Sequence, residues 1–265
     1  MSGGSPGAQP RAETPWDLRL TGYTRSMASS LLFRQTIQKL NGLANPEYSA
    51  GAAQFFKEPV KARGVRSPQL IELSAGLYRE IKPWPVSQRD EFITELWKDK
   101  HIETGALACY TYRRFTKTFA GREFRLFEHW LETYAQNWAH TDGICIYLLA
   151  PTIARFPELA RELPAWTRSK NTWRRRAAAV ALVKEARRGR QFDLISQIAQ
   201  ALAHDPEDLV QKGAGWVLKE AYPARPEEVV AFLKEHGKTW PRLVLRYAAE
   251  KMSVQDKRSV LSWEN

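Results

Sequence analysis

The sequence predicts an all-α protein, a right-handed α-solenoid of paired helices with one concave face. Three observations carry that expectation. Apolar residues recur at i, i+3, i+4 almost throughout, and alternating strand-like runs are few. Pro and Asn-Pro breakers cut the pattern into helix-sized pieces. Beyond residue 86 a two-helix unit repeats: Glu103, Trp138, Trp173 and Val210, each in the second helix of its pair, lie 35, 35 and 37 residues apart. That period belongs to helical-repeat arrays. The units are not close copies, so the argument rests on helix pairing.

Residues 1–15 are rich in Gly, Ser and Pro and read as a disordered leader, with a single domain over 16–262. The first periodic stretch covers 30–43 and stops at Asn45-Pro46; a short helix is expected over 46–56. Residues 58–68 read as a loop, and Pro68 suits the first turn of a helix over 68–81. Lys82-Pro83-Trp84-Pro85 ends that helix. One helix then ends near Lys100, and others follow over 103–118, 123–138, 141–155, 157–166, 172–188, 192–204, 206–221, 226–236 and 241–252. The unit entered near Pro241 comes after 31 residues and reads as a capping variant.

Composition narrows the function. The 265 residues carry 40 Lys+Arg against 29 Asp+Glu, a net charge of +11, with 30 aromatic residues. A polyanionic partner fits, since cations attract phosphate and exposed rings stack on bases; core packing is the competing use of each ring. No apolar run approaches the roughly 18 residues of a membrane span, and no export signal is evident. A soluble cytoplasmic monomer is expected. Two cysteines, Cys109 and Cys145, permit one disulfide on paper and exclude a disulfide-dense scaffold.

The window 166–191 holds nine Lys+Arg and one acid, a net +8. Its Lys170, Arg174, Arg175 and Arg176, with Arg113, Arg114, Lys212, Arg242 and Arg246, lie on equivalent second helices and should line one surface, a basic concave stripe for duplex DNA. A solvated cationic surface without a partner is the plainer alternative.

The five histidines and two cysteines form no metal-ligand spacing, so no metal or cofactor is expected. Phosphate-cradling loops and the GxSxG elbow are also missing. What remains is Trp138 and Asp142, four apart in Asn137-Trp138-Ala139-His140-Thr141-Asp142; Arg176 in Asn171-Thr172-Trp173-Arg174-Arg175-Arg176; and Trp216, set among Gly213, Ala214 and Gly215. Glycines inside a helix cost about 1 kcal/mol each against Ala, which points to close approach of a helix or ligand. Each residue also has a structural reading: Trp138 as core, Asp142 as an arginine's partner, Arg176 as that arginine.

These motifs, with the later TWPRLVLRYAAEK, resemble the AlkD-like DNA alkylation repair glycosylases over roughly residues 25–255. The resemblance implies a HEAT-like repeat fold gripping duplex DNA, and excision of positively charged N3- or N7-alkylated purines in base excision repair. It implies Asp142 as the catalytic carboxylate, Trp138 and Trp216 as rings flanking the lesion's deoxyribose, and Arg176 as a contact to the DNA backbone. The third aromatic position, often tyrosine, falls at Phe55, which keeps the ring and loses the hydroxyl. Residues 64–68, GVRSP, resemble the family's turn before its next helix. Recognition without full base flipping is also implied. No lysine stands out as a Schiff-base nucleophile, so a monofunctional hydrolase is expected. Two other classes stay open: a non-catalytic binder of damaged or branched DNA, and a protein–protein scaffold, against which the +8 window argues.

Overall fold

A computed structural model of the chain describes the backbone of residues 15–262 and the side chains of residues 27–262. Residues 1–14 of the expected leader lie outside the described residues. Helix α1 (Pro15–Gly42) starts well before the expected 30–43, with proline at its first position. Asn45 caps α2 (Pro46–Ala53) by accepting the Tyr48 N–H at 2.8 Å. After the loop come α3 (Ser67–Ile81), α4 (Val86–Lys98) and α5 (Ile102–Tyr112), the last tightening into a 3₁₀ turn over Arg113–Thr118.

The repeat continues with α6 (Arg122–Thr133) and α7 (Trp138–Ile144), the latter running on through Cys145–Leu149 into α8 (Ala150–Arg155). Helix α9 (Leu163–Trp166) precedes α10 (Thr172–Val180), which breaks before α11 (Val183–Arg187), so the expected single helix over 172–188 is two pieces. Then follow α12 (Phe192–Leu202), α13 (Asp208–Ala221), α14 (Pro226–His236), α15 (Arg242–Ala248) and α16 (Val254–Leu261). Helix α16, whose N-cap is Ser253, lies beyond the last helix expected from periodicity.

The second helices pack side by side in the order α3, α5, α7, α10, α13, α15, and α4, α6, α12 and α14 back onto this layer. The protein is thus an all-α helical repeat. Among the described residues there is no strand, only one isolated bridge between Lys61 and His101. No single described helix is long and apolar enough to cross a membrane.

Much of the aromatic content is core. Trp97, Trp130, Trp166, Phe92, Phe124 and Phe127 are fully buried, and Tyr112 meets Phe119, Phe127 and Trp130 within 6 Å. Cys109 and Cys145 are buried and free, so the disulfide possible on paper is not formed.

The two glycines of α13 have different roles. A Cβ at Gly215 would sit 2.5 Å from the Tyr247 Cβ and 2.8 Å from the Val244 carbonyl, so α13 and α15 approach as closely as glycine permits. At Gly213 a Cβ would meet Arg176 and Val180 of α10 at an ordinary 3.5 Å, so the helix that packs there does not require glycine. Gly215→Ala should therefore cost about 1–3 kcal/mol through overpacking, read as a lower denaturant midpoint at unchanged m. Gly213→Ala should lack that penalty.

Candidate active site

Helix α7 begins at Trp138 because Asn137 caps it. The Asn137 side chain accepts the His140 N–H at 2.9 Å from an extended backbone, φ −157°. The expected helix over 123–138 therefore stops at Thr133, and Trp138 opens the next one. One turn later Asp142 falls on the same face. His140 anchors the back of the helix through Nε2 to the His101 carbonyl, 3.1 Å, and burial lowers its pKa to about 4. Immediately beyond, the backbone widens into a π turn over Cys145–Leu149, a distortion frequent at functional sites.

Arg176 grips Asp142 in a fork. Its Nε meets Oδ1 and its Nη2 meets Oδ2, both at 2.8 Å, while Nη1 donates to the Leu209 carbonyl on α13. One side chain thus ties α7, α10 and α13 together. Burial holds the Asp142 carboxyl above the ordinary aspartate value, and the guanidinium offsets only part of that rise. The carboxylate keeps 17% of its side-chain exposure against 7% for Arg176. Arg176, expected on the DNA backbone, is turned inward onto the carboxylate.

The Trp138 ring is covered by Phe56, stacked at 5.0 Å and 16°, and its indole N–H donates to the Phe55 carbonyl at 3.3 Å. Phe55 itself, the expected third aromatic, turns its ring outward and is 77% exposed. Lys57 then reaches Asp208, the first residue of α13, at 2.7 Å. Residues 55–57 therefore run from the end of α2 to α13, touching α7 on the way.

Trp216 is half-buried on α13 and donates to Glu220 at 3.2 Å. Burial would raise Glu220, but hydrogen bonds from Arg187, Lys251 and Trp216 hold it down to about 2. Among the described residues no ring contact joins Trp216 to Trp138. Arg176, through Leu209, is what links α13 to Asp142.

Most of the expected basic stripe is already paired. Arg174 binds Glu128 and Glu132, Arg175 binds Asp205 at 2.7 Å, Arg187 binds Glu220, and Arg188 and Arg190 share Glu185. Lys212 meets Asp208 at 3.3 Å. Arg113 lies 4.9 Å from both the Tyr110 and Tyr147 ring centroids, and Arg114 lies over Tyr78. Lys170, Arg242 and Arg246 are exposed, the last two with Lys212 and Lys257 around a shallow hollow.

A cavity of about 340 Å³ opens between α2, α5 and α7, with Asp142 and Trp138 in its wall. Glu103 also lines it, while its Oε1 accepts the N–H groups of Arg63, Gly64 and Val65 at 2.9, 2.7 and 3.3 Å. This carboxylate holds the turn in which Gly64 is left-handed, φ +79°, and passes so near the Asn45 carbonyl that a Cβ would lie 2.0 Å from it. The sequence pointed to Glu103 only as a marker of the repeat, and not at all to Phe56. The sequence signal for Glu103 is its place in the first turn of a repeat helix, where it holds the GVRSP turn.

The sequence model of the DNA alkylation repair enzyme family matches residues 36–252. Among solved structures, one described as a predicted DNA alkylation repair enzyme from Enterococcus faecalis is similar over 80% of this chain and 97% of that one, with a TM-score of 0.72. At 20% identity that likeness speaks for the fold. No curated protein gives a match.

Proposed function

Because the chain belongs to the DNA alkylation repair enzyme family, we propose that it is a monofunctional DNA glycosylase that excises cationic N3- and N7-alkylated purines from duplex DNA. A role in repair of alkylated DNA follows from the family; the reaction and the residues are our reading. The observation that carries it is Asp142, a carboxylate one helical turn beyond Trp138 in the wall of the same cavity and held in a two-point grip by Arg176.

The chemistry asks for little else. An N-alkylated purine is already cationic and leaves without a general acid. As the N-glycosidic bond breaks, its electron pair goes to the base and positive charge develops on the sugar, an oxocarbenium-like state. Asp142 stabilises that charge and orients the attacking water, whose oxygen bonds to the anomeric carbon as its proton is released to solvent, leaving the hydroxyl of the abasic sugar. Trp138 and Trp216 offer π faces to the same charge from α7 and α13. Phe56 occupies one face of Trp138, so the sugar takes the other or displaces Phe56. Lys170, Lys212, Arg242 and Arg246 take phosphates on either side, and exposed Phe55 meets the duplex.

Release of free base from duplex DNA containing N7-methylguanine, without added metal, tests this reading. Release is expected in single turnover and should leave an uncleaved abasic strand. Salt-sensitive DNA binding with no release would instead assign a non-catalytic binder of damaged or branched DNA.

A further inference from the structure

The family match ends at residue 252, and helix α16 follows it at Val254–Leu261. It is anchored at both ends. Its N-cap Ser253 accepts the Asp256 N–H at 3.0 Å, and the Tyr222 hydroxyl, just after α13, donates to the Asp256 carboxylate at 2.7 Å. Val260 is fully buried at the other end. Lys257 and Leu261, four residues apart and so on one face, both line the hollow at α15. Arg258, about 100° further round the helix, is exposed outside that hollow.

The hollow has a volume of about 430 Å³, and its cations come from three helices: Lys212 on α13, Arg242 and Arg246 on α15, and Lys257 on α16. One acid, Glu250, shares the wall, and Lys219 already binds it at 2.6 Å. Asp208, the partner of Lys212 at 3.3 Å, is held more closely by Lys57 at 2.7 Å. Arg246 and Lys257 have no ion-pair partner among the described residues. Like charges that converge in this way repel, so an anion entering the hollow relieves them. Lys212 also lies one turn before Trp216 on α13, so the hollow continues the face that carries the candidate site. Its cations are exposed or half-buried, which suits an anion whose neighbours are held elsewhere on the same face. A small free ion would have to be held against water by those side chains alone.

We propose that this hollow seats a backbone phosphate of duplex DNA on one flank of the lesion, with α16 adding Lys257 as a contact beyond the part of the chain that matches the family. The proposal rests on the DNA-repair reading above and extends its interface by one helix. A phosphate contact carries no preference for sequence or lesion; it fixes where the duplex lies. The layer order α7, α10, α13, α15 separates the hollow from Asp142, so it holds the duplex without touching the reacting sugar.

The test is binding of an undamaged, fluorescently labelled duplex by the full chain, followed by anisotropy from about 50 to 200 mM chloride. Lys257→Ala should flatten the plot of log affinity against log salt by about one unit of slope. Its affinity deficit against wild type then shrinks about three- to fourfold across that range. Arg258→Ala removes the same charge outside the hollow and should keep a slope close to wild type. Lys257→Arg restores the cation and should restore the slope. Both positions are exposed, so melting curves should stay close to wild type and confirm that each variant is folded. Equal slopes for Lys257→Ala and Arg258→Ala would overturn the hollow while leaving the glycosylase standing. A flattened slope for Lys257→Ala, in a protein whose wild type releases no N7-methylguanine, would keep the hollow and remove the glycosylase. Inorganic phosphate that displaces the duplex better than chloride of equal ionic strength, with the advantage lost in Lys257→Ala, would make this a site for free anions and sink the proposal.

Discussion

Asp142→Asn is expected to lower N7-methylguanine release by at least about 10²–10³-fold while leaving affinity for the same duplex nearly unchanged. Asn has the same shape and stays capable of one hydrogen bond, but it cannot stabilise a cationic sugar. It also turns an amide N–H₂ toward the Arg176 guanidinium, which in the wild type donates two hydrogen bonds to the carboxylate at 2.8 Å. Some stability is therefore lost as well, because a buried guanidinium is left half-satisfied. Excision should accordingly be measured in single turnover at a temperature where melting curves show the variant fully folded. Wild-type release by such a folded variant would remove Asp142 from the chemistry. Loss of both release and DNA binding would mean that the substitution had broken the α7–α10 contact rather than the reaction.

The fold was legible because its signals are local. Asn45 and Asn171 announce helix starts, prolines end or begin others, and the 35-residue return of the second helix marks the unit, whereas the start that Asn137 caps was not read from the sequence. The site was legible in part for the same reason, since Trp138 and Asp142 share one turn of one helix. What escaped is what lies one unit away. Counting charge inside residues 166–191 finds nine cations and one acid, yet Arg176 meets Asp142 34 residues earlier, Arg175 meets Asp205 30 residues later, and Arg187 meets Glu220 33 residues later. Partners separated by a repeat become neighbours when repeats stack, so a window net charge overstates the free cations. Phe55 and Phe56 show a second limit. They are adjacent in a turn after α2, where no helical or strand period tells which ring faces α7. Only the packing of Phe56 on Trp138 decides it.

Arg176→Ala should move the acid limb of the pH–rate profile upward. In the wild type, burial raises Asp142 and the guanidinium opposes it. Removing the guanidinium leaves burial alone, so the carboxyl holds its proton to higher pH and the active ionised form appears later. The sign for stability runs the other way. A carboxyl whose folded pKa lies above its unfolded value binds its proton more tightly in the native state, so its contribution to stability falls as pH rises through that window. The variant should thus be most stable where it is least active. Breaking the pair should also cost about 3 kcal/mol, the low end for buried pairs because Asp142 remains partly exposed. Arg176→Lys restores the charge without the fork and should return the acid limb toward wild type with only part of the stability. Since Arg176 is 6% exposed and spends its fork on Asp142 and Leu209, the salt dependence of DNA binding should not change. An unmoved acid limb would dissociate Arg176 from the ionisation of Asp142, and a shallower salt slope would return it to the phosphate backbone.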